Sequence, residues 1–109
     1  NKKNLYNDDF TKPKYYSLGM FPYPSNHGLH VGNLRGYVIS DVWSRYKKMK
    51  GFNVLHPMGW NGFGLQAESD ATKNGIHPSD NLKINISAFK KELSEMGLAH
   101  NWEREINTS

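Results

Sequence analysis

One helical run set between two strand-like runs constrains this chain most. From Leu34 the apolar residues Leu34, Val38, Val42, Tyr46 and Met49 recur at three- or four-residue steps, which puts them on one helix face. Gly51 stands where that helix would stop. Before it, residues 14–21 (KYYSLGMF) are short and aromatic-rich and read as a buried strand. After it, Phe52 to Met58 reads as the next strand, ended by Pro57 and the glycines at 59, 62 and 64. Strand, helix, strand in this order predicts a right-handed βαβ unit in a parallel sheet, hence an α/β fold. A second helix is expected from a cap at Ser79 or Asp80 to Gly97, with Leu82, Ile86, Phe89, Leu93 and Met96 inward. Trp102 to Ser109 reads equally as strand or loop. Residues 1–13, polar and rich in Asn, Lys and Asp, read as a flexible lead-in.

The 109 residues suffice for one domain, and apolar residues counted with Gly and without Tyr are about 40%, under the ~45–50% typical of a globular domain, so the core is thin or part of it lies elsewhere. The chain opens on Asn1 rather than Met and is expected to be a fragment. It holds no cysteine, which excludes disulfides, thiolate metal sites and cysteine nucleophiles. No apolar run is long enough to span a bilayer, so no membrane partner is expected. The formal charge of +4 is concentrated: Arg35, Arg45, Lys47, Lys48 and Lys50 face Asp41 alone, and the rest of the chain is balanced. Such a cluster can attract phosphate or nucleic acid. The plainer reading is that Arg45 to Lys50 complement the negative end of a helix dipole.

The chemistry concentrates in Phe21 to Arg35, FPYPSNHGLHVGNLR, which joins the end of the first strand to the first helix. Ligands of open parallel sheets bind outside the carboxyl ends of the strands, and helix N-termini attract phosphate. His30 and Asn33 are three apart, share a helix face, and can both donate hydrogen bonds to phosphate oxygens. Gly32 in the first turn would let a flat group such as adenine approach the backbone. Read blandly, His30 is a buried, satisfied imidazole and Gly32 a turn residue. His27 and His30 could be two metal ligands, but His56, His77 and His100 offer no third at a matching spacing, so no metal site is expected.

MFPYPS followed by GLHVGN resembles the H-[IVLM]-G-H signature region of class I aminoacyl-tRNA synthetases, and more closely the leucyl-tRNA synthetases of bacterial and organellar type. The likeness runs collinearly from Lys14 to Ser109 through KYYSLGMFPYPS, VLHPMGWNGFGLQAE and MGLAHNWERE. It implies the N-terminal half of a Rossmann-like (HUP-type) nucleotide-binding domain, with parallel strands and a helix following the HxGN loop. Residues 14–109 would then be the first part of the catalytic domain. The KMSKS loop, editing insertion and anticodon-binding domain of the family would lie beyond Ser109.

The implied activity is ATP-dependent activation of leucine to leucyl-adenylate and transfer to tRNA(Leu). The implied partners are leucine, ATP with Mg²⁺, and tRNA(Leu), with no zinc in this segment. The resemblance assigns His30 and Asn33 to catalysis, and Pro22, His30, Gly32 and Asn33 to ATP binding. It assigns Met20, Phe21, Tyr23 and Asn61 to the amino acid. It further implies a monomer, in the cytoplasm for a bacterial type or in an organelle matrix or stroma if nuclear-encoded. Alone, this piece would bind ATP weakly and charge no tRNA.

The family pattern is broken at four places. Asn33 stands for a second histidine but can still donate. Asn61 stands for the aspartate of GWDAFGLPAE and gives up a charge-assisted bond to the substrate ammonium, roughly twice as strong as a neutral one. Asn101 stands for an aspartate before Trp102, in a structural position, and Gln66 stands for a proline. These changes leave two alternatives: a catalytically degenerate synthetase-like binding module, or another HxGH-type adenylyl transferase.

Overall fold

The computed structural model describes residues 6–25 and 28–108. The expected βαβ unit is present. Strand β1 (Lys14–Tyr16) pairs in parallel with β2 (Asn53–Leu55), Lys14 opposite Asn53 and Tyr16 opposite Leu55, and helix α1 (Val31–Met49) connects them. Both strands are shorter than the sequence suggests. The Ser17 N–H still donates to the Leu55 carbonyl at 2.9 Å, but the chain then runs toward Pro22 and Pro24, which have no N–H to extend a ladder. Pro57 interrupts the second run in the same way. It resumes as β3 (Gly59–Trp60), which pairs in parallel with β4 (Ile106–Asn107). The C-terminal stretch is thus both of its readings: a 3₁₀ turn (Trp102–Arg104), then a strand.

Helix α2 (Leu65–Asn74) has no forerunner in the sequence reading, because it buries one residue, Ala71, and shows no apolar stripe. It stops at Gly75, whose φ of 64° is left-handed. Helix α3 (Pro78–Glu95) starts earlier than Ser79 or Asp80. His77 is its N-cap and Pro78 takes the first turn, where a missing N–H costs nothing. Leu82, Phe89 and Leu93 are buried as expected and Ile86 packs against the core, whereas Met96 falls at the cap and turns to solvent. The same helix buries Asn81 and Asn85, whose amides each donate at 3.0 Å to Asp70 of α2.

Helix α1 corrects a simple amphipathic reading. Its buried residues are Tyr37, Asp41 and Ser44, while Val38, Val42, Tyr46 and Met49 of the predicted stripe are exposed, Val42 to 61%. A polar face can be buried when each group has a partner. Asp41 accepts from Arg45 Nε at 2.8 Å and from the Ala99 N–H at 2.9 Å, and the Ser44 hydroxyl donates to the Ser40 carbonyl at 2.7 Å. The basic cluster also serves the fold. Arg45 reaches the Gly97 carbonyl, Lys48 the Asn7 carbonyl, and the Lys47 ammonium lies 4.9–5.1 Å from the ring centres of Tyr15, Trp43 and Phe52. Those contacts favour the helix-end reading of the charge.

Residues 6–13 of the expected flexible lead-in dock rather than trail. Tyr6 is buried edge-on to the His56 ring, and Arg104 pairs with Asp8 at 2.9 Å. Residues 1–5 of that segment, and the candidate ligand His27, lie outside the described residues. The apolar core is Tyr37, Met58, Trp60, Phe89, Leu93 and Leu98, with Phe21 and Leu29 packed against it. Those last two flank the loop from Pro22 to Gly28, so the core holds the loop at both ends.

Candidate active site

The loop is fixed by backbone ties at successive positions. Asn61, just after β3, donates its side-chain amide to the Phe21 carbonyl at 2.9 Å and its N–H to the Pro22 carbonyl at 3.0 Å. Asn85 on α3 reaches the Pro24 carbonyl at 3.4 Å, and Glu92 on α3 accepts the Leu29 N–H at 2.9 Å. The ring of Phe21 lies over Gly59 so closely that a Cβ there would fall 2.5 Å from it. Local rules also shape the loop: the Gly28 N–H closes a turn onto the Ser25 carbonyl, and Gly28 has a φ of 67°, open to few other residues.

What the loop delivers is His30, exposed, as the N-cap of α1. Its Nδ1 accepts the Asn33 N–H at 3.4 Å, which leaves the ring proton of the neutral imidazole on Nε2 as an outward donor. The first turn of α1 contains no acidic residue. Free N–H groups, the positive end of the dipole, an imidazole donor and the Asn33 side chain therefore coincide, as an anion site requires. Beside them opens a cleft of about 500 Å³.

Of the sequence-predicted residues, the cleft gathers Pro22, Tyr23, His30 and Asn33. Gly32 does not line it: the bare side of Gly32 faces the His30 ring, and a Cβ there would come within 3.0 Å of that ring. Met20 is 83% exposed, and Phe21 is turned into the core contact with Gly59. Asn61 spends its amide on the Phe21 carbonyl and retains its side-chain oxygen as an acceptor. Sequence reasoning missed the opposite wall, where Gln66, Ser69, Asp70 and Lys73 of α2 face the loop, with Phe89 beneath. Its signal was present: Leu65, Ser69 and Lys73 recur every four residues, the spacing of one helical face. Asp70 is held there by Asn81 and Asn85, and Lys73 supplies a cation at the rim.

A second polar cluster lies away from the cleft. Asn101 accepts the His56 N–H at 2.7 Å, returns its own N–H to the His56 carbonyl at 2.8 Å, and donates its amide to the Tyr6 carbonyl at 3.2 Å. An aspartate could not make the last of these bonds. The His56 Nδ1–H donates to the Ala99 carbonyl at 2.9 Å, and its ring lies 4.4 Å from that of His100. Both ring nitrogens of His100 are buried without a hydrogen-bond partner among the described residues. Burial, and then the neighbouring His56, hold the His100 pKa down to about 4; burial also lowers that of His56. Burial lifts the hydroxyls of Tyr6 and Tyr37 to about 12.

A parallel strand–helix–strand unit with a helix start at its mouth defines a Rossmann-like α/β domain. Residues 18–104 match the family described as tRNA synthetases class I (M), and the chain belongs to that family. Its relatives are leucine–tRNA ligases. That of Prosthecochloris aestuarii is 54% identical over all 109 residues, and that of Chlorobium phaeovibrioides 59% identical over 98 residues, 90% of this chain. The chain spans 14% and 12% of those two proteins. Among solved structures, the ternary complex of Agrobacterium radiobacter K84 agnB2 LeuRS with tRNA and LeuAMS superposes with a TM-score of 0.90. It is 38% identical, and the match covers 98% of this chain and 14% of that one. The Rossmann-like reading of the N-terminal part holds.

Proposed function

We propose that this chain is the part of a leucine–tRNA ligase that grips ATP and the leucine being activated. The observation that supports this best is the exposed His30 imidazole at the start of α1, with Asn33 one turn on, both lining the cleft. ATP enters as its Mg²⁺ complex. The leucine carboxylate attacks the α-phosphorus and pyrophosphate leaves, so the protein needs no general base; it positions the reactants and stabilises charge. His30 Nε2–H, the Asn33 amide and the free N–H groups of α1 donate to phosphate oxygens as negative charge develops there. Lys73, across the cleft, adds a cation at its rim. Leucyl-adenylate then passes its leucyl group to tRNA(Leu), a step supported by the similar structure, which is a complex with tRNA and LeuAMS.

The test is leucine-dependent ATP–pyrophosphate exchange by the intact protein that carries this chain. Exchange with leucine, and exchange with isoleucine or valine slower by about 10–200-fold, is the expected result. Nucleotide binding indifferent to leucine would point to another adenylyl transferase.

Asn61 favours a second reading, a module that binds without catalysing, because its neutral amide is already bonded to the loop. Asn61→Asp separates the two. In a working ligase the new carboxylate loses the tie to the Phe21 carbonyl but gains a charge-assisted bond to the ammonium, so KM for leucine shifts measurably. In a degenerate module it changes no activity.

A further inference from the structure

Of the ties that fix the loop, the one nearest His30 comes from a residue to which sequence reasoning gave no role. Glu92 lies on α3, partly buried, one position before the core residue Leu93, and its carboxylate meets the loop at Gly28 and Leu29. One oxygen accepts the Leu29 N–H at 2.9 Å. The other oxygen closes over the α-carbon of Gly28, so that a Cβ added there would fall 2.7 Å from it. Gly28 and Leu29 are the two residues before the imidazole. Leu29 contacts the core, Gly28 lines the cleft, and the left-handed backbone of Gly28 sets the direction in which the chain enters α1. Upstream, Asn61 and Asn85 fix Phe21, Pro22 and Pro24. Among the described residues after Pro24, Glu92 is the side chain that holds the loop backbone, at Leu29.

We propose that Glu92 is a positioning residue for the nucleotide site, setting Gly28 and Leu29 so that His30 caps α1 and presents its Nε2–H to phosphate. This rests on the reading of His30 as an ATP contact. Glu92 touches no substrate itself. Its bond requires an acceptor, not a charge, so a glutamine can replace it and an alanine cannot. The glycine at 28 follows from the same contact: the carboxylate occupies the space of its missing side chain.

The experiment compares wild type, Glu92→Ala, Glu92→Gln and Gly28→Ala in the intact protein. It reads KM for ATP and for leucine by pyrophosphate exchange, ATP Kd by calorimetry, and hydrogen exchange of a peptide spanning residues 28–34. Glu92→Ala is expected to raise ATP KM and Kd about tenfold, as expected for one charged hydrogen bond. KM for leucine should move less than twofold, and exchange at 28–34 should quicken. Glu92→Gln should restore all of these to within threefold of wild type. Gly28→Ala should reproduce the ATP defect.

A Glu92→Ala protein with a loosened 28–34 peptide and unchanged ATP Kd would overturn the proposal. So would a glutamine variant as impaired as the alanine one, or ATP and leucine KM rising together with a falling melting temperature. Wild-type protein that binds ATP but shows no leucine-dependent exchange would sink the ligase reading alone, and Glu92 would then be judged on ATP Kd. Wild-type protein that binds no ATP would sink both.

Discussion

The chain builds two histidine–asparagine pairs and uses them in opposite ways. His30 and Asn33 sit a turn apart at a helix start, the Asn33 N–H shared between the His30 carbonyl at 3.0 Å and its Nδ1 at 3.4 Å, with their side-chain donors turned to an open cleft. His56 and Asn101 are far apart in sequence, buried, and joined by two short bonds, with the amide of Asn101 spent on Tyr6. The residue types are the same. What differs is whether the fold uses up the hydrogen-bonding capacity or leaves it for something else. A satisfied pair holds the fold together, and an unsatisfied exposed pair at a dipole end is prepared for a ligand.

The sharpest way to break that contrast is His30→Ala. If the exposed pair serves the ligand, pyrophosphate exchange in the intact protein falls about 10²–10³-fold, the usual loss for one donor to transition-state charge. The unfolding free energy should move by under about 1 kcal/mol, the worth of a weak N-cap.

Acid titration probes the buried side. The His100 pKa is lowered in the fold, so the unfolded chain takes up protons first as pH drops. The associated stability is complete above about pH 6.5 and is lost as pH falls toward 4, on the order of 3 kcal/mol in all. His100→Phe should remove most of that dependence in urea melts at successive pH values.

Asn101→Ala removes the acceptor of the His56 N–H and the amide donor to the Tyr6 carbonyl. Its expected cost is about 2 kcal/mol by denaturant titration. Exchange activity should change only in proportion to the folded fraction.

The smallest effect should come from Val42→Lys on the exposed stripe of α1. It should shift stability by under about 0.5 kcal/mol and raise solubility, measured by sedimentation of concentrated samples.

The βαβ unit was legible because α1 has a period and its flanking strands have β-branched and aromatic residues between breakers. The direction of α1 was not. Periodicity reports which residues are apolar, and here the buried face is Tyr37, Asp41 and Ser44, made tolerable by partners that come from Arg45, Ala99 and Ser40. Helix α2 was invisible to an apolar count, since polar ties to Asn81 and Asn85 rather than a hydrophobic stripe hold it. In the site, the spacing of His30 and Asn33 offered a phosphate contact and equally a buried imidazole, and the family resemblance carried the choice. The α2 wall left only the four-residue spacing of Leu65, Ser69 and Lys73, and what that face meets depends on how two helices pack. Glu92 and Leu29, 63 residues apart, were joined only by the fold.

The aromatic enclosure of Lys47 has a chemical consequence. With Tyr15, Trp43 and Phe52 around its ammonium, this amine should acylate more slowly than the open lysines when the protein meets an amine-directed reagent. Its label uptake, followed over time by mass spectrometry, then becomes a built-in clock for the moment when the strand pair and α1 come apart.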